Sequence, residues 1–266
     1  MLRQRVITAL VLVSLLGAVL FGLPWHFGVA AFGVIAALAG WEWGGLMRWP
    51  QQARIAFAVT LVVAGAALHW VAADALGMAL LGAAMFWLIL APAWLSYRWS
   101  LVGRPLPGAL VGIVVILPTW IAMSQLHQRG PWVLLGAMAV VWVADIAAYF
   151  AGRRFGRHKL APNISPGKTW EGVAGAVAGV LVYFAVLYAA TPLPAHWSRG
   201  LLPLAALALA LTALSVAGDL FESMLKRQAG IKDSSQQLPG HGGVLDRIDA
   251  LTSTLPLAAL IVEAMR

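Results

Sequence analysis

The sequence predicts an all-α polytopic membrane protein of about nine transmembrane helices, N-terminus inside and C-terminus outside. Three observations predict it. Hydrophobic residues make up 61% of the 266 and charged residues 11%, with a mean hydropathy of +0.84, whereas soluble domains carry about 25% charged residues. Apolar runs recur at about 20 residues, the length that crosses a hydrocarbon core about 30 Å thick. The cations between those runs crowd into alternate loops.

The first run, over 6–23, follows Arg3 and Arg5. It is longer than a signal-peptide core and a second run follows at once, so it reads as an uncleaved first span. Further spans are predicted over 28–47, 55–73, 75–95, 107–126, 131–151, 170–190, 200–220 and 248–265, the last one short. With the N-terminus inside, only Arg129, Arg199 and Arg266 of the 18 Lys and Arg residues fall outside, as the positive-inside rule requires. Trp25, Trp49, Trp70, Trp94, Trp99, Trp132, Trp170 and Trp197 fall near span ends, where amphipathic rings sit well. Gly175 and Gly179 form a small-residue face suited to close helix packing. The chain reads as one continuous membrane domain, with N-terminal helices over 1–130 and a catalytic region with its cytoplasmic loops over 131–266.

Composition excludes several functions. With no cysteine there is no disulfide, thiolate metal site or cysteine nucleophile. The net charge of +8 and pI near 10.6 do not indicate nucleic-acid binding, because the cations are spread over short loops and suit lipid headgroups. An anion transporter would need polar groups through the bilayer midplane and usually paired repeats. No repeat is visible, and the charges collect at one face.

The carboxylates are concentrated. Asp219, Glu222, Asp233, Asp246 and Asp249 are half of the ten in the chain and lie at the inner ends of the last two spans, where acids are costly and usually functional. If the eighth span continues as a helix, Asp219, Glu222, Ser223 and Lys226 share one face; a salt-bridged helix end is the competing reading. Gly240, Gly242 and Gly243 around His241 permit tight turns and close approach of backbone N–H groups to an anion. Asp246 and Asp249, one turn apart, offer hard oxygen ligands suited to Mg²⁺, or else cap a helix. A second cluster runs from Asp145 and Tyr149 through Arg153, Arg154 and Arg157 to Ser165, Lys168, Thr169 and Glu171. It leads into a helix N-terminus near Thr169, a ready anion site. Gly167-Lys168-Thr169 is not a P-loop, since Pro162 stands where the first glycine is required. Glu42 reads as a buried polar contact or a cavity group, Asp74 as a helix cap and His69 as an interfacial histidine.

The run from Ser223 to Asp249, with Lys226-Arg227, Lys232-Asp233, Leu238-Pro239-Gly240-His241-Gly242-Gly243 and Asp246-Arg247-Ile248-Asp249, resembles the signature of the phosphatidate cytidylyltransferase family. Ile164-Ser165-Pro166 and Lys168 to Gly172 resemble the same family upstream. The resemblance implies a nucleotidyltransferase of phospholipid biosynthesis in the cell inner (plasma) membrane, with its site facing the cytoplasm. It would use CTP, and also dCTP, with phosphatidate, and Mg²⁺ as cofactor with a second cation allowed for. A homodimer is the family expectation. On this reading Asp219, Asp246 and Asp249 hold Mg²⁺, while Lys226, Arg227 and Arg247 neutralise phosphates and His241 donates to one. Ser165 and Lys168 contact a phosphate. Asp145, Thr169, Glu171, Ser223, Lys232, Asp233, Gly242 and Gly243 complete the substrate site. A related CTP-dependent lipid enzyme, a CDP-archaeol synthase or polyprenol kinase, is the alternative.

Overall fold

The computed structural model describes residues 2–190 and 201–264. Trp197, Arg199 and Arg266 lie outside the described residues. The helices are α1 (Leu2–Gly17), α2 (Trp25–Leu46), α3 (Gln51–Trp70), α4 (Leu76–Met85), α5 (Ala91–Tyr97), α6 (Pro105–Arg129), α7 (Pro131–Phe155), α8 (Trp170–Ala190), α9 (Leu201–Gln228) and α10 (Leu245–Ala264). A π-turn over Phe86–Leu90 joins α4 to α5, so the two make one span. Eight segments among the described residues are long and apolar enough to cross a bilayer, and the protein is a multi-pass, all-α membrane protein. One feature was not expected from the sequence: β1 (Lys159–Ala161) and β2 (Ser165–Thr169) pair antiparallel between α7 and α8.

The segment that stands apart from those eight is α10. Its N-terminal end carries Asp246, Arg247 and Asp249, and its middle carries Thr252, Ser253 and Thr254. All three of these hydroxyl residues are buried. They donate to the carbonyls of Asp249, Leu214 and Ala250 at 2.6, 2.7 and 2.9 Å, so no polar group is left exposed to hydrocarbon. α10 packs against α9, α6 and α4. Its neighbours are protein rather than lipid, and it therefore needs less hydrophobicity than an outer span.

Around α10 runs a continuous apolar core from Leu20 through Phe32, Trp43, Trp87, Trp120 and Phe221 to Leu255. Trp43 and Trp120 are buried with their indole N–H groups donating to Gly108 and Val29 carbonyls at 2.9 and 2.8 Å. α1, by contrast, is almost wholly exposed along its span, as a lipid-facing helix would be.

α7 and α8 lie side by side through the predicted small-residue face. A Cβ on Gly175 would sit 2.2 Å from the Ala151 methyl, and one on Gly179 would sit 2.6 Å from that of Ala147. Gly175→Val is therefore expected to push the two helices apart and to destabilise by about 1–3 kcal/mol. Thermal unfolding in detergent would show it as a lowered midpoint, with Gly77→Ala, which points into open space, as the unaffected control. Asp74 does not cap a helix. It lies exposed in a 3₁₀ turn, and α4 starts two residues later at Leu76, its N-cap Ala75 offering no side-chain cap. His69 bonds the Gly65 carbonyl at 2.8 Å and stacks on Trp120.

Candidate active site

The N-terminal ends of α8 and α10 and the C-terminal end of α9 converge with the β1–β2 hairpin and the glycine loop between α9 and α10. α9 does continue as a helix through Lys226, so Asp219, Glu222, Ser223 and Lys226 fall on one stripe as their spacing requires.

Lys226 is the hub. Its ammonium lies 2.7 Å from Asp246 Oδ1 and 3.1 Å from Glu222 Oε1. Glu222 is 4% exposed, and its oxygens have no hydrogen-bond donor among the described residues, so the ion pair with Lys226 is its main compensation. Asp246 is tied down on its other oxygen. Oδ2 accepts from the Ser234 N–H at 2.9 Å, the Ser234 hydroxyl at 3.0 Å and the Gly243 N–H at 2.8 Å.

A second ion pair lies further along α9. Lys168, at the end of β2, meets Asp219 Oδ2 at 2.6 Å, and the Ser223 hydroxyl donates to Asp219 Oδ1 at 3.2 Å. Asp219 is also within electrostatic range of Asp145 and Asp249. Beside it a cavity of about 480 Å³ is lined on one side by Asp145, Arg153, Ser165, Lys168, Thr169 and Asp219, and on another by alanines and valines of α7, α8 and α9. Tyr149 also borders the cavity and is 57% exposed on α7, beside exposed Phe150. A pocket with charged groups in a largely apolar lining thus opens beside exposed aromatic side chains of α7.

The glycine loop is shaped by backbone geometry. Gly240 and Gly242 have φ of +78° and +80°, which L residues other than glycine adopt only at a cost. Both positions are also crowded, Gly240 by Arg5 of α1 and Gly242 by Asp246. The Thr8 hydroxyl of α1 donates to the Pro239 carbonyl at 2.9 Å.

The sequence pattern of the Cytidylyltransferase family matches residues 3–265. The chain belongs to the cytidylyltransferase family. A protein of Pseudomonas aeruginosa named phosphatidate cytidylyltransferase is 42% identical over 277 residues, covering 99% of this chain and 98% of its own. Proteins of the same name from Haemophilus influenzae and Brucella suis are each 36% identical, covering 96% and 97% of this chain.

Within this cytidylyltransferase fold the candidate residues separate into groups. Asp145, Ser165, Lys168, Thr169 and Asp219 line the cavity, while Lys226, Asp246, Gly242 and Gly243 build the loop anchor. Arg227 is exposed and donates to the Ile164 carbonyl at 3.3 Å, bracing the hairpin. Glu171 lies apart, bonded to the His158 ring at 2.6 Å. Thr169 caps α8, its hydroxyl accepting from Gly172 N–H at 3.1 Å. Lys232, Asp233 and Arg247 are exposed. His241 donates its N–H to the Leu238 carbonyl at 2.8 Å, and its buried ring Nδ1 has no partner among the described residues. Two residues outside the sequence-based set belong to the site: Ser215, which lines the cavity, and Glu42. Nothing in the pattern marks Ser215, a lone serine in an apolar span. Glu42 carried a signal, a carboxylate inside an apolar run, though not one that told which loop it meets.

Asp145 and Asp219 bring carboxylates to the cavity, and Asp249 lies within electrostatic range of Asp219. Among the described residues no group of three His, Asp or Glu side chains is placed to hold a metal ion, so the triad of Asp219, Asp246 and Asp249 expected from the sequence is not assembled as a ligand set. Asp246 contributes differently. Its oxygens already accept four donors, and it would reach a cation only by giving up Lys226.

Proposed function

We propose that the chain transfers the CMP unit of CTP to phosphatidate, releasing pyrophosphate and leaving CDP-diacylglycerol in the bilayer. The observation that carries this reading is the paired array Lys168–Asp219 and Lys226–Asp246 beside a largely apolar cavity with charged groups, bordered by exposed Tyr149 of α7. The relatives named phosphatidate cytidylyltransferase support the choice of substrates.

A phosphate oxygen of phosphatidate attacks the α-phosphorus of CTP. The bond from that phosphorus to the bridging oxygen breaks, and the electron pair leaves with pyrophosphate. Phosphatidate is already ionised at neutral pH, so no strong general base is needed. Two polyanions must instead be brought together and the in-line charge stabilised. Lys168, Ser165 and Arg153 serve the phosphatidate phosphate in the cavity, with its acyl chains passing Tyr149 and Phe150. The glycine loop and Lys226 serve the triphosphate. Mg²⁺ usually takes only one or two carboxylates, and Asp219 with substrate phosphates and water would hold it, its charge neutralising phosphate there. dCTP is expected to serve in place of CTP.

In this reading α10 is the ninth span, the N-terminus is inside and the C-terminus outside. The active site then faces the cytoplasm at the inner membrane, where the cation-rich loops lie. The test is incorporation of α-phosphate-labelled CTP into lipid by the purified protein with phosphatidate and Mg²⁺. Asp219→Asn, whose side chain is 31% exposed and so is tolerated by the fold, is expected to cut that incorporation about 100-fold or more. Wild-type rates in the variant would remove Asp219 from the site.

A further inference from the structure

We infer that Glu42 of α2, far from the signature in sequence, is a positioning residue that holds the glycine loop so that Asp246 meets Lys226 on the nucleotide side of the site. The inference rests on the proposed function. Glu42 is fully buried, and both of its oxygens are used. Oε1 accepts from the Ser235 hydroxyl at 2.6 Å and the Val244 N–H at 2.9 Å, and Oε2 accepts from the Leu245 N–H at 2.7 Å and the Ser234 hydroxyl at 3.1 Å. Val244 and Leu245 open α10, where N–H groups lack helical partners, and a carboxylate suits the positive end of the helix dipole. Arg54, whose guanidinium stacks on Trp41 and donates to its carbonyl at 3.0 Å, stays within electrostatic range of Glu42.

The path to the chemistry is short. The Ser234 hydroxyl lies 3.1 Å from Glu42 and 3.0 Å from Asp246, so one group senses both carboxylates. Asp246 in turn meets Lys226. Gly243 sits between them, and a Cβ there would fall 2.6 Å from each Glu42 oxygen. A glutamine cannot replace Glu42 in this setting. Whichever oxygen became NH₂ would face one hydroxyl and one backbone N–H, and while the hydroxyl can turn, the N–H cannot.

The test uses the full chain in detergent, varying CTP and phosphatidate separately, with thermal unfolding to give the folded fraction. Glu42→Gln is expected to lower kcat/KM for CTP about ten- to hundredfold, with KM for CTP raised and KM for phosphatidate within about twofold of wild type. Ser234→Ala leaves both N–H caps intact. It should show the same KM pattern at about three- to tenfold, with an unfolding temperature near wild type. The inference is overturned if either folded variant keeps both KM values and loses activity only with its folded fraction. It is also overturned if KM rises for phosphatidate instead. A wild type that moves no CMP into lipid removes the functional reading and the inference together, whereas an active wild type with an indifferent Glu42→Gln removes the inference alone.

Discussion

Lys226→Met is expected to unfold more easily and to transfer almost no CMP. Lys226 is the cation shared by Glu222 and Asp246, whose side chains are each 5% exposed. Methionine keeps much of the volume and removes the charge. Removing one partner of a buried ion pair typically costs about 3–5 kcal/mol, because the remaining charge stays buried without compensation. At about 2–4 °C per kcal/mol for a chain of this size the midpoint should fall by roughly 10 °C. Transfer should fall about 10²–10³-fold, as when one charge-stabilising donor is removed from an active site. Stability and catalysis can be separated here. Adding Glu222→Gln to Lys226→Met neutralises one of the stranded carboxylates and should recover part of the midpoint, but none of the activity. Full recovery of activity in the double variant would make Lys226 a structural counter-ion only.

Gly243→Ala should be nearly as damaging through a single methyl group. The added Cβ would lie 2.0 Å from the Ser234 hydroxyl and 2.6 Å from both Glu42 oxygens, inside any tolerable contact. Neither neighbour is free to yield, since Ser234 and Glu42 are both buried and both bonded to the loop. The loop has to lift, and Asp246 loses the Gly243 N–H that it accepts at 2.8 Å. We expect a stability loss of about 1–3 kcal/mol, the usual cost of overpacking, together with a drop in transfer of about 100-fold. Labelled-CTP incorporation per folded molecule would measure the second effect. Near-normal incorporation would mean that the loop tolerates displacement.

Much of this arrangement was legible in the residues because bilayers constrain sequences strongly. Apolar run lengths give the spans, and the glycine pair on α8 gives its seam with α7. The i, i+3 and i+4 spacing of Asp219, Glu222, Ser223 and Lys226 gives the α9 stripe once the helix is known to continue. What was less legible depended on long-range packing. The last predicted span reads as the weakest because it is short, and α10's hydroxyl groups are matched by partners within the fold, which periodicity does not reveal. The β1–β2 hairpin is too short and too polar to stand out from a basic loop. Glu42 could be seen to be unusual, but its four donors come from residues 192 to 203 positions away, and only the fold brings them together. Likewise Asp246 read as an open ligand, whereas its oxygens are taken by Lys226, Ser234 and Gly243. Dividing the chain near residue 130 gives an N-terminal part whose α1 and α2 reach the glycine loop through Thr8 and Glu42. The core that surrounds α10 is likewise drawn from both parts.

In this mechanism the α-phosphate of CTP, and not the γ-phosphate, goes to the lipid. The most direct measurement supplies the purified protein with phosphatidate, Mg²⁺ and CTP labelled at the α- or the γ-phosphate in parallel, then separates lipid from water. Cytidylyl transfer puts α-label in the lipid phase and γ-label in aqueous pyrophosphate, in equal amounts. γ-Label in lipid, or no α-label in lipid from folded protein, would contradict it.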